Sequence, residues 1–364
     1  MENKDYSIIF ECVAGSHLYG TNTETSDQDF RGVLIPSKEY FLGFAKKVEQ
    51  IIDTKDGNDR VLWELRKFLT LAIDCNPSII EILFVPEDRW IQSSDIWKQI
   101  VSHRDWFISK KARWTFSGYA ISQLKRIKRH RSWLLSPPAK MPEREDFGLP
   151  SDRALVSKDQ IGAFNVLLSL YMEDVKSNHP LKDQIDEMME TKDFIGLVQS
   201  LGNRVDQDIL RTLTPISDNL LLALSKEKSY IQAYREWEQY KKWEKERNVD
   251  RADLERKFFF DSKHASHLYR LVTEGEELLN TGFITLPRPD REILRDIRNG
   301  KYTYDQMMEL VGDIDGRFNA LYESSSLSRF ANVNKVDEMC VEIIEKFLGS
   351  DNGFKIKVFE EINE

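Results

Sequence analysis

An α+β fold is what this sequence predicts, a small mixed-sheet domain followed by a helical C-terminal domain. Three observations carry it: short alternating segments in the first 90 residues, a change to three- and four-residue apolar spacing from about Ser93, and a series of capping signals in the last hundred residues. The alternating segments read as strands at Ser7 to Ala14, Asp27 to Pro36, Val48 to Asp53 and Arg60 to Leu65. A Gly/Ser/Thr-rich turn separates the first two, and the cluster Lys55 to Asp59 reads as the hairpin between the last two. A helix is expected from Arg66 to Asp74, stopped by Asn76-Pro77, and a short one from Ser78 to Phe84, stopped by Pro86.

In the second half, Phe116, Ala120, Leu124 and Ile127 form an apolar stripe that leaves Lys125, Arg126, Lys128 and Arg129 on the other faces. Residues 132–160 hold four prolines among charges and read as loop, and Gln232 to Lys257 reads as an exposed, highly charged helix. Asp261 and Ser262 can cap a helix that carries Ala265, Leu268, Val272 and Leu279 and ends at Asn280 and Gly282. Asp290 can cap the next, which stops at Gly300, and Thr303 with Gln306 forms a capping-box pattern for a third. The resulting division is a first domain over 1–100, a helical region with an insertion over 101–256, and a helical domain over 257–364.

Composition narrows the function classes. The chain has 364 residues, 41% of them hydrophobic and 31% charged, which suits a solvated exterior around real cores. No stretch approaches the roughly 20 apolar residues of a membrane span, and the start MENKDYSIIF is too acidic for a secretory signal, so the cytoplasm is the expected compartment. Cys12, Cys75 and Cys340 have no CxxC spacing and are expected as buried fillers rather than disulfides or zinc ligands. A net charge of -9 argues against a polyanionic partner, yet residues 104–131 carry nine Lys or Arg against the single acid Asp105. A basic strip in an acidic chain points to a phosphate-facing surface; the plain alternative is a solvated helix face.

The segment that suggests chemistry runs from Ala14 to Gly32. On a strand, residues two apart face one way, so Asp27 and Asp29 would project side by side. Such a pair repels itself unless a cation sits between, and Mg2+ (or Mn2+) suits one or two carboxylates plus phosphate oxygens. Upstream, Gly15-Ser16 ends a strand in a turn whose backbone N–H groups and hydroxyl can approach a triphosphate, with no side chain at Gly15 to obstruct it.

GSHLYGTNTETSDQDFRGVLIP resembles the Gly-Ser, then Asp-x-Asp, signature of the DNA polymerase β-like nucleotidyltransferase superfamily, and more narrowly its bacterial and phage type. ELRKFLTLAIDCNPSIIEILF, FSGYA and KHASHLYRLVTEGEELLNTG are similar to further stretches of that family, so the likeness covers the first 130 residues and roughly 257–335. It implies a nucleotidyltransferase domain moving a nucleoside monophosphate from a triphosphate, with ATP the expected donor, to an acceptor hydroxyl by a two-metal mechanism. It also implies a third carboxylate on a neighbouring strand. Asp59, at the position that opens the matching motif, is preferred; Glu64 is the alternative, and a five-residue separation puts the two on opposite strand faces. Lys263, His267 and Arg270 share one helix face and would form a cationic stripe reaching the triphosphate or acceptor, unless they simply face solvent. RNA is the favoured acceptor, through residues 104–131 with Trp106, Phe107, Trp114, Phe116 and Tyr119 as candidate stacking partners, although Phe116 reads as core. A protein or small-molecule acceptor and a nonenzymatic nucleotide- or RNA-binding module are the competing readings.

Overall fold

A computed structural model of the chain describes residues 6–44, 47–55, 58–157, 161–162, 218–246, 255, 258–349 and 356–358. The turn expected at Lys55 to Asp59 and the charged stretch beyond residue 246 lie partly outside the described residues. Two compact units form, one from residues 1–135 with 249–364 and the other from 136–248.

The first unit is the expected α+β fold. Its strands are β1 (Tyr6–Ala14), β2 (Asp29–Pro36), β3 (Gln50–Lys55), β4 (Asn58–Glu64), β5 (Trp90–Ser94) and β6 (Ile356–Val358), in the order β3-β4-β2-β1-β5-β6. All neighbours are antiparallel except β2 with β4, which makes the sheet mixed. β5 lies where the sequence suggested only the onset of helix. Trp90 and Ser93 there are buried and pair with Cys12 and Phe10 of β1, so tertiary pairing decides a segment too short to declare itself.

Helices α1 (Gly15–Tyr19), α2 (Lys38–Leu42), α3 (Leu65–Ile73), α4 (Pro77–Ile80), α5 (Asp95–Ser102) and α6 (Ala112–Leu135) follow. The break between α3 and α4 is sharper than proline alone would make it: Cys75 takes a positive φ of 50°, and Asn76 Oδ1 accepts the Ser78 N–H at 3.1 Å as the N-cap of α4. Phe10 stacks on Trp97 of α5 with ring centroids 3.8 Å apart, pinning that helix to the sheet.

The C-terminal helices of this unit are α8 (Ser262–Thr281), α9 (Arg291–Arg298), α10 (Tyr304–Val311), α11 (Ile314–Ser324) and α12 (Val333–Leu348), numbered after α7 (Asp218–Glu246) of the second unit. Asp261 caps α8 by accepting the His264 N–H at 3.0 Å, Gly282 ends it in the left-handed conformation, and Thr303 with Gln306 closes the capping box of α10. α8 packs along α6, and Gly275 is the reason they approach so closely: a Cβ there would lie 2.7 Å from Phe116 and Phe318. One continuous core runs from Ile9 and Phe10 of the sheet through Phe116 and Ala120 of α6 to Leu268 and Leu271 of α8.

In the second unit, the stretch read as loop is irregular after Leu135 apart from one 3-10 turn, Arg144–Phe147. Buried Glu227 of α7 accepts both Arg144 Nη atoms, at 3.1 and 2.6 Å, and the Leu155 N–H at 2.6 Å. These charge-assisted bonds tie that irregular segment to the helix.

Candidate active site

Strand pairing assembles the site. Ala14, the last residue of β1, is paired with Asp29, the first of β2, so the Gly15 turn and the Asp29 carboxylate are neighbours across the sheet. They touch: Gly15 has φ +61°, and a Cβ on it would lie 2.0 Å from Asp29 Oδ2. Glycine is needed here to make room for the acid as well as for the backbone turn. In the parallel pair, Phe30 stands beside Arg60, which sets Asp29 beside Asp59 one residue earlier. Asp59 Oδ1 accepts the Thr54 hydroxyl at 2.9 Å.

Asp27 is not on the strand, because β2 starts at Asp29. The two acids share a cavity for a different reason than the two-residue period. Residues 20–28 fold back on α1, with Thr21 N–H bonded to Ser16 O at 2.9 Å, Thr23 N–H to Ser26 Oγ at 2.9 Å, and His17 Nε2 at 3.3 Å from the Ser26 carbonyl. That return presents Thr21, Thr23, Thr25, Ser26 and Asp27 to the same space as Asp29.

The space is a cavity of about 580 Å³ whose lining includes Gly15, Ser16, Asp27, Asp29 and Asp59 together with Lys263, His264, His267 and Arg270 of α8 and Arg298 at the end of α9. Glu64 is elsewhere. It is buried as the N-cap of α3, with Oε2 accepting the Lys67 N–H at 3.1 Å and Oε1 the Arg66 Nε at 2.9 Å, and it does not line the cavity. Helix capping has claimed that carboxylate. Sequence reading missed Arg298 and Ser266; no spacing links Arg298 to Lys263, and only the packing of α9 on α8 brings them together.

The stripe on α8 is less cationic than its residue types suggest. Burial first, and then Arg270, His264, Arg126 and Lys263, push His267 down to about 3, so it is a neutral imidazole at physiological pH. Arg270 is spoken for: Nη1 donates to Glu81 Oε2 and to Glu274 Oε2, each at 2.8 Å, and the guanidinium lies 4.1 Å over the Tyr19 ring. Tyr19 OH donates to Glu81 in turn, at 3.0 Å. This buried network joins α1, the turn after α4, and α8. Burial, partly offset by Arg270, raises Glu274 to about 7, and among the described residues its Oε1 has no hydrogen-bond partner.

The basic strip also divides. Arg104, Lys110, Lys111, Arg113 and Arg131 are engaged in the fold, for instance Lys111 with Asp74 at 2.5 Å and buried Arg113 with Asn319 and Asp315. Lys125, Arg126, Lys128 and Arg129 are exposed along the second half of α6. Phe107 and Phe116 are core, which removes them as stacking partners, whereas Trp114 and Tyr119 are exposed.

A Gly-Ser turn, three clustered aspartates and a basic wall are what the nucleotidyltransferase resemblance implies. Residues 1–135 match the model of the RNA repair pathway DNA polymerase beta family. The resemblance to the DNA polymerase β-like superfamily is thus borne out over the part of the chain that holds the turn and the aspartates. The chain is also similar to a protein of Enterobacteria phage T4 that carries the name "Uncharacterized 38.9 kDa protein in nrdC-mobD intergenic region", 23% identical over 338 residues, or 89% of this chain and 91% of that one. YcgL of Bacillus subtilis is 32% identical over 77 residues, 21% of this chain and 30% of YcgL. No solved structure matches. No helix among the described residues is long and apolar enough to cross a membrane.

Proposed function

We propose that this chain is a metal-dependent nucleotidyltransferase that transfers a nucleoside monophosphate from a triphosphate, ATP by expectation, to a hydroxyl of RNA in the cytoplasm. One observation carries the reading: Asp27, Asp29 and Asp59 line a single cavity with the Gly15-Ser16 turn, Lys263 and Arg298. The donor set fits Mg2+ or Mn2+, because three carboxylates offer hard oxygens at a place where no side-chain cation pairs with Asp27 or Asp29 in the described network. Bound there, a divalent ion would neutralise charge on the phosphates and lower the barrier to their displacement.

The residues of the chain divide the remaining work. Ser16 and the backbone of the turn hold phosphate oxygens, Lys263 and Arg298 offset the charge of the triphosphate, and neutral His267 acts as a hydrogen-bonding wall. Asp59, held by Thr54, takes the acceptor proton as the hydroxyl oxygen attacks the α-phosphorus and pyrophosphate leaves. Arg270 is a positioning residue that fixes α8 against α1. In this division 1–100 carries the chemistry and 257–364 the substrate-binding helices.

RNA is favoured over other acceptors because Lys125, Arg126, Lys128 and Arg129 lie exposed along α6, and one of them, Arg126, contributes to the field at His267 in the cavity wall. The matched family's description as an RNA repair family supports the same acceptor. The test is incubation with each α-labelled triphosphate, Mg2+ or Mn2+, and total RNA or total protein. Label is expected in RNA, and label confined to protein or small molecules would overturn the acceptor. Asp29→Asn should slow transfer about a thousandfold, corresponding to ~4 kcal/mol of transition-state stabilisation. It should also lose most of the gain in melting temperature that Mg2+ plus triphosphate confers by linkage. Full transfer by Asp27→Asn or Asp29→Asn would overturn the mechanism, and no transfer by the wild type would favour a binding module.

A further inference from the structure

A second group of metal-ligating side chains lies where α6 meets the start of α8. His130, Asp261 and His264 each offer a ligand atom, and these atoms lie within 4.8 Å of one another. Their chemistry differs from that of the three aspartates: two imidazole nitrogens and one carboxylate suit zinc and its neighbours, whereas an all-oxygen set suits magnesium.

The local geometry is that of a prepared site. Asp261 is buried, and its two oxygens have separate duties: Oδ1 caps α8 by accepting the His264 N–H at 3.0 Å, while Oδ2 lies 3.5 Å from His264 Nε2. The cap fixes the carboxylate plane independently of any ion, so Oδ2 is held toward the imidazole. Ligands about 2.0–2.1 Å from a tetrahedral ion sit about 3.3 Å apart, close to that Asp–His separation. The His130 ring lies 5.8 Å from the His264 ring, centroid to centroid, and is backed by buried Trp133, stacked 5.5 Å away. The His130 nitrogen supplies the third ligand atom, within 4.8 Å of the other two, and binding an ion would draw it to the closer spacing of a coordinated set. Burial and His264, with Arg126 and Arg129 behind them, disfavour a charged His130, and the Asp261 carboxylate opposes them only in part.

We infer that His130, Asp261 and His264 bind one divalent transition-metal ion of the zinc class, which ties α6 to α8 beside the cavity. His264 is the shared residue, since it also lines the cavity wall. Three protein ligands leave a fourth position for water or an anion, and the ion would hold the helix that carries Lys263 and His267 against the helix that carries the exposed cations. The site does not depend on the proposed transferase activity.

The experiment uses the full chain, freed of metal by a chelator and dialysed, then titrated with Zn2+ and separately with Co2+. One equivalent of Zn2+ should bind with a dissociation constant below about 1 µM and raise the melting temperature, and Co2+ should give visible d–d bands of nitrogen and oxygen coordination. His130→Gln, His264→Gln and Asp261→Asn, the last keeping the cap acceptor, should each weaken Zn2+ binding by about 10–100-fold. Asp27→Asn combined with Asp29→Asn should leave it unchanged. X-ray absorption on the wild-type zinc form, which needs no variant to fold, should count two imidazoles. Absence of Zn2+ binding by the wild type, undiminished binding in both histidine variants, or a coordination shell without imidazole would overturn the inference.

Discussion

Replacing Arg270 with alanine separates two roles that the sequence could not distinguish. A cation on the cavity wall would be expected to bind phosphate and to cost only affinity when removed. In the structure its guanidinium instead joins two buried carboxylates, Glu81 and Glu274, and covers the Tyr19 ring. Glu274 is fully buried and the Arg270 and Glu81 side chains are 9% and 8% exposed, so solvent screens little of this pairing. Removing one partner of a buried ion pair costs about 3–5 kcal/mol, because the remaining charge stays buried without compensation. Here two acids are left, although Tyr19 still donates to Glu81 and Glu274 can take up a proton, which holds the expected loss near 4 kcal/mol. Urea denaturation should therefore show Arg270→Ala strongly destabilised, a large fraction of the roughly 5–15 kcal/mol typical of a domain. At pH 4.5 and below, where Glu274 is protonated, Glu274→Gln keeps the shape and should cost no more than about 1 kcal/mol. The double variant should recover part of the Arg270→Ala loss, since it removes one of the stranded acids. A wild-type denaturation midpoint for Arg270→Ala, together with a raised KM for the triphosphate, would refute the reasoning and return Arg270 to the phosphates.

Three further outcomes follow from particular groups. Because burial raises Glu274 from 4.5 to about 7, its contribution to stability is fully present below pH 4.5 and is lost as pH rises through 7; Glu274→Gln should therefore gain on wild type across that window, by at most about 1.4 kcal/mol per pH unit, as denaturation at stepped pH would show. Gly15→Ala places a Cβ on Asp29 Oδ2 at a positive φ, so it should lose transfer activity far out of proportion to a stability cost of about 1–2 kcal/mol, measured by melting and single-turnover assays. Changing Lys125, Arg126, Lys128 and Arg129 together to alanine should weaken RNA binding and flatten its dependence on salt, whereas an unchanged slope in filter-binding assays would remove RNA from α6.

The α+β class and the caps of the C-terminal helices were legible because they are written locally: an Asp261 or a Thr303 three residues before its N–H partner needs no tertiary information. The acids were legible by residue type but not by conformation. Asp27 reaches the cavity through a folded-back loop, a route set by hydroxyl and backbone bonds among Thr21, Thr23 and Ser26 that no period reveals. Asp59 and Glu64 could be set on opposite faces of their strand from spacing alone. Which one faces the cavity follows from the parallel pairing of β4 with β2 and from the capping of α3, and both are properties of the assembled sheet. Charge was the least legible quantity. Cations of 104–131 such as Lys111 and Arg113 are engaged by the fold, and His267 loses its charge to burial, because desolvation is invisible until neighbours are placed.

The same distinction explains how distant stretches of sequence can share one site. The turn at Gly15 and the wall at Lys263 are far apart along the chain, and the chain leaves the first compact unit at Leu135 and re-enters it at Val249. What fixes their separation in space is a short physical path: Tyr19 at the end of α1 bonds Glu81, Glu81 bonds Arg270, and Arg270 lies one turn along α8 from His267. Beneath that path, Gly275 lets α8 close onto Phe116 of α6, so the helix is seated by apolar contact and oriented by the ion network. A cavity built this way depends on the α6–α8 contact and on the Glu81 bridge and not on the length of chain between them, which is why residues 136–248 can form a compact unit of their own while both walls of the site stay within the first.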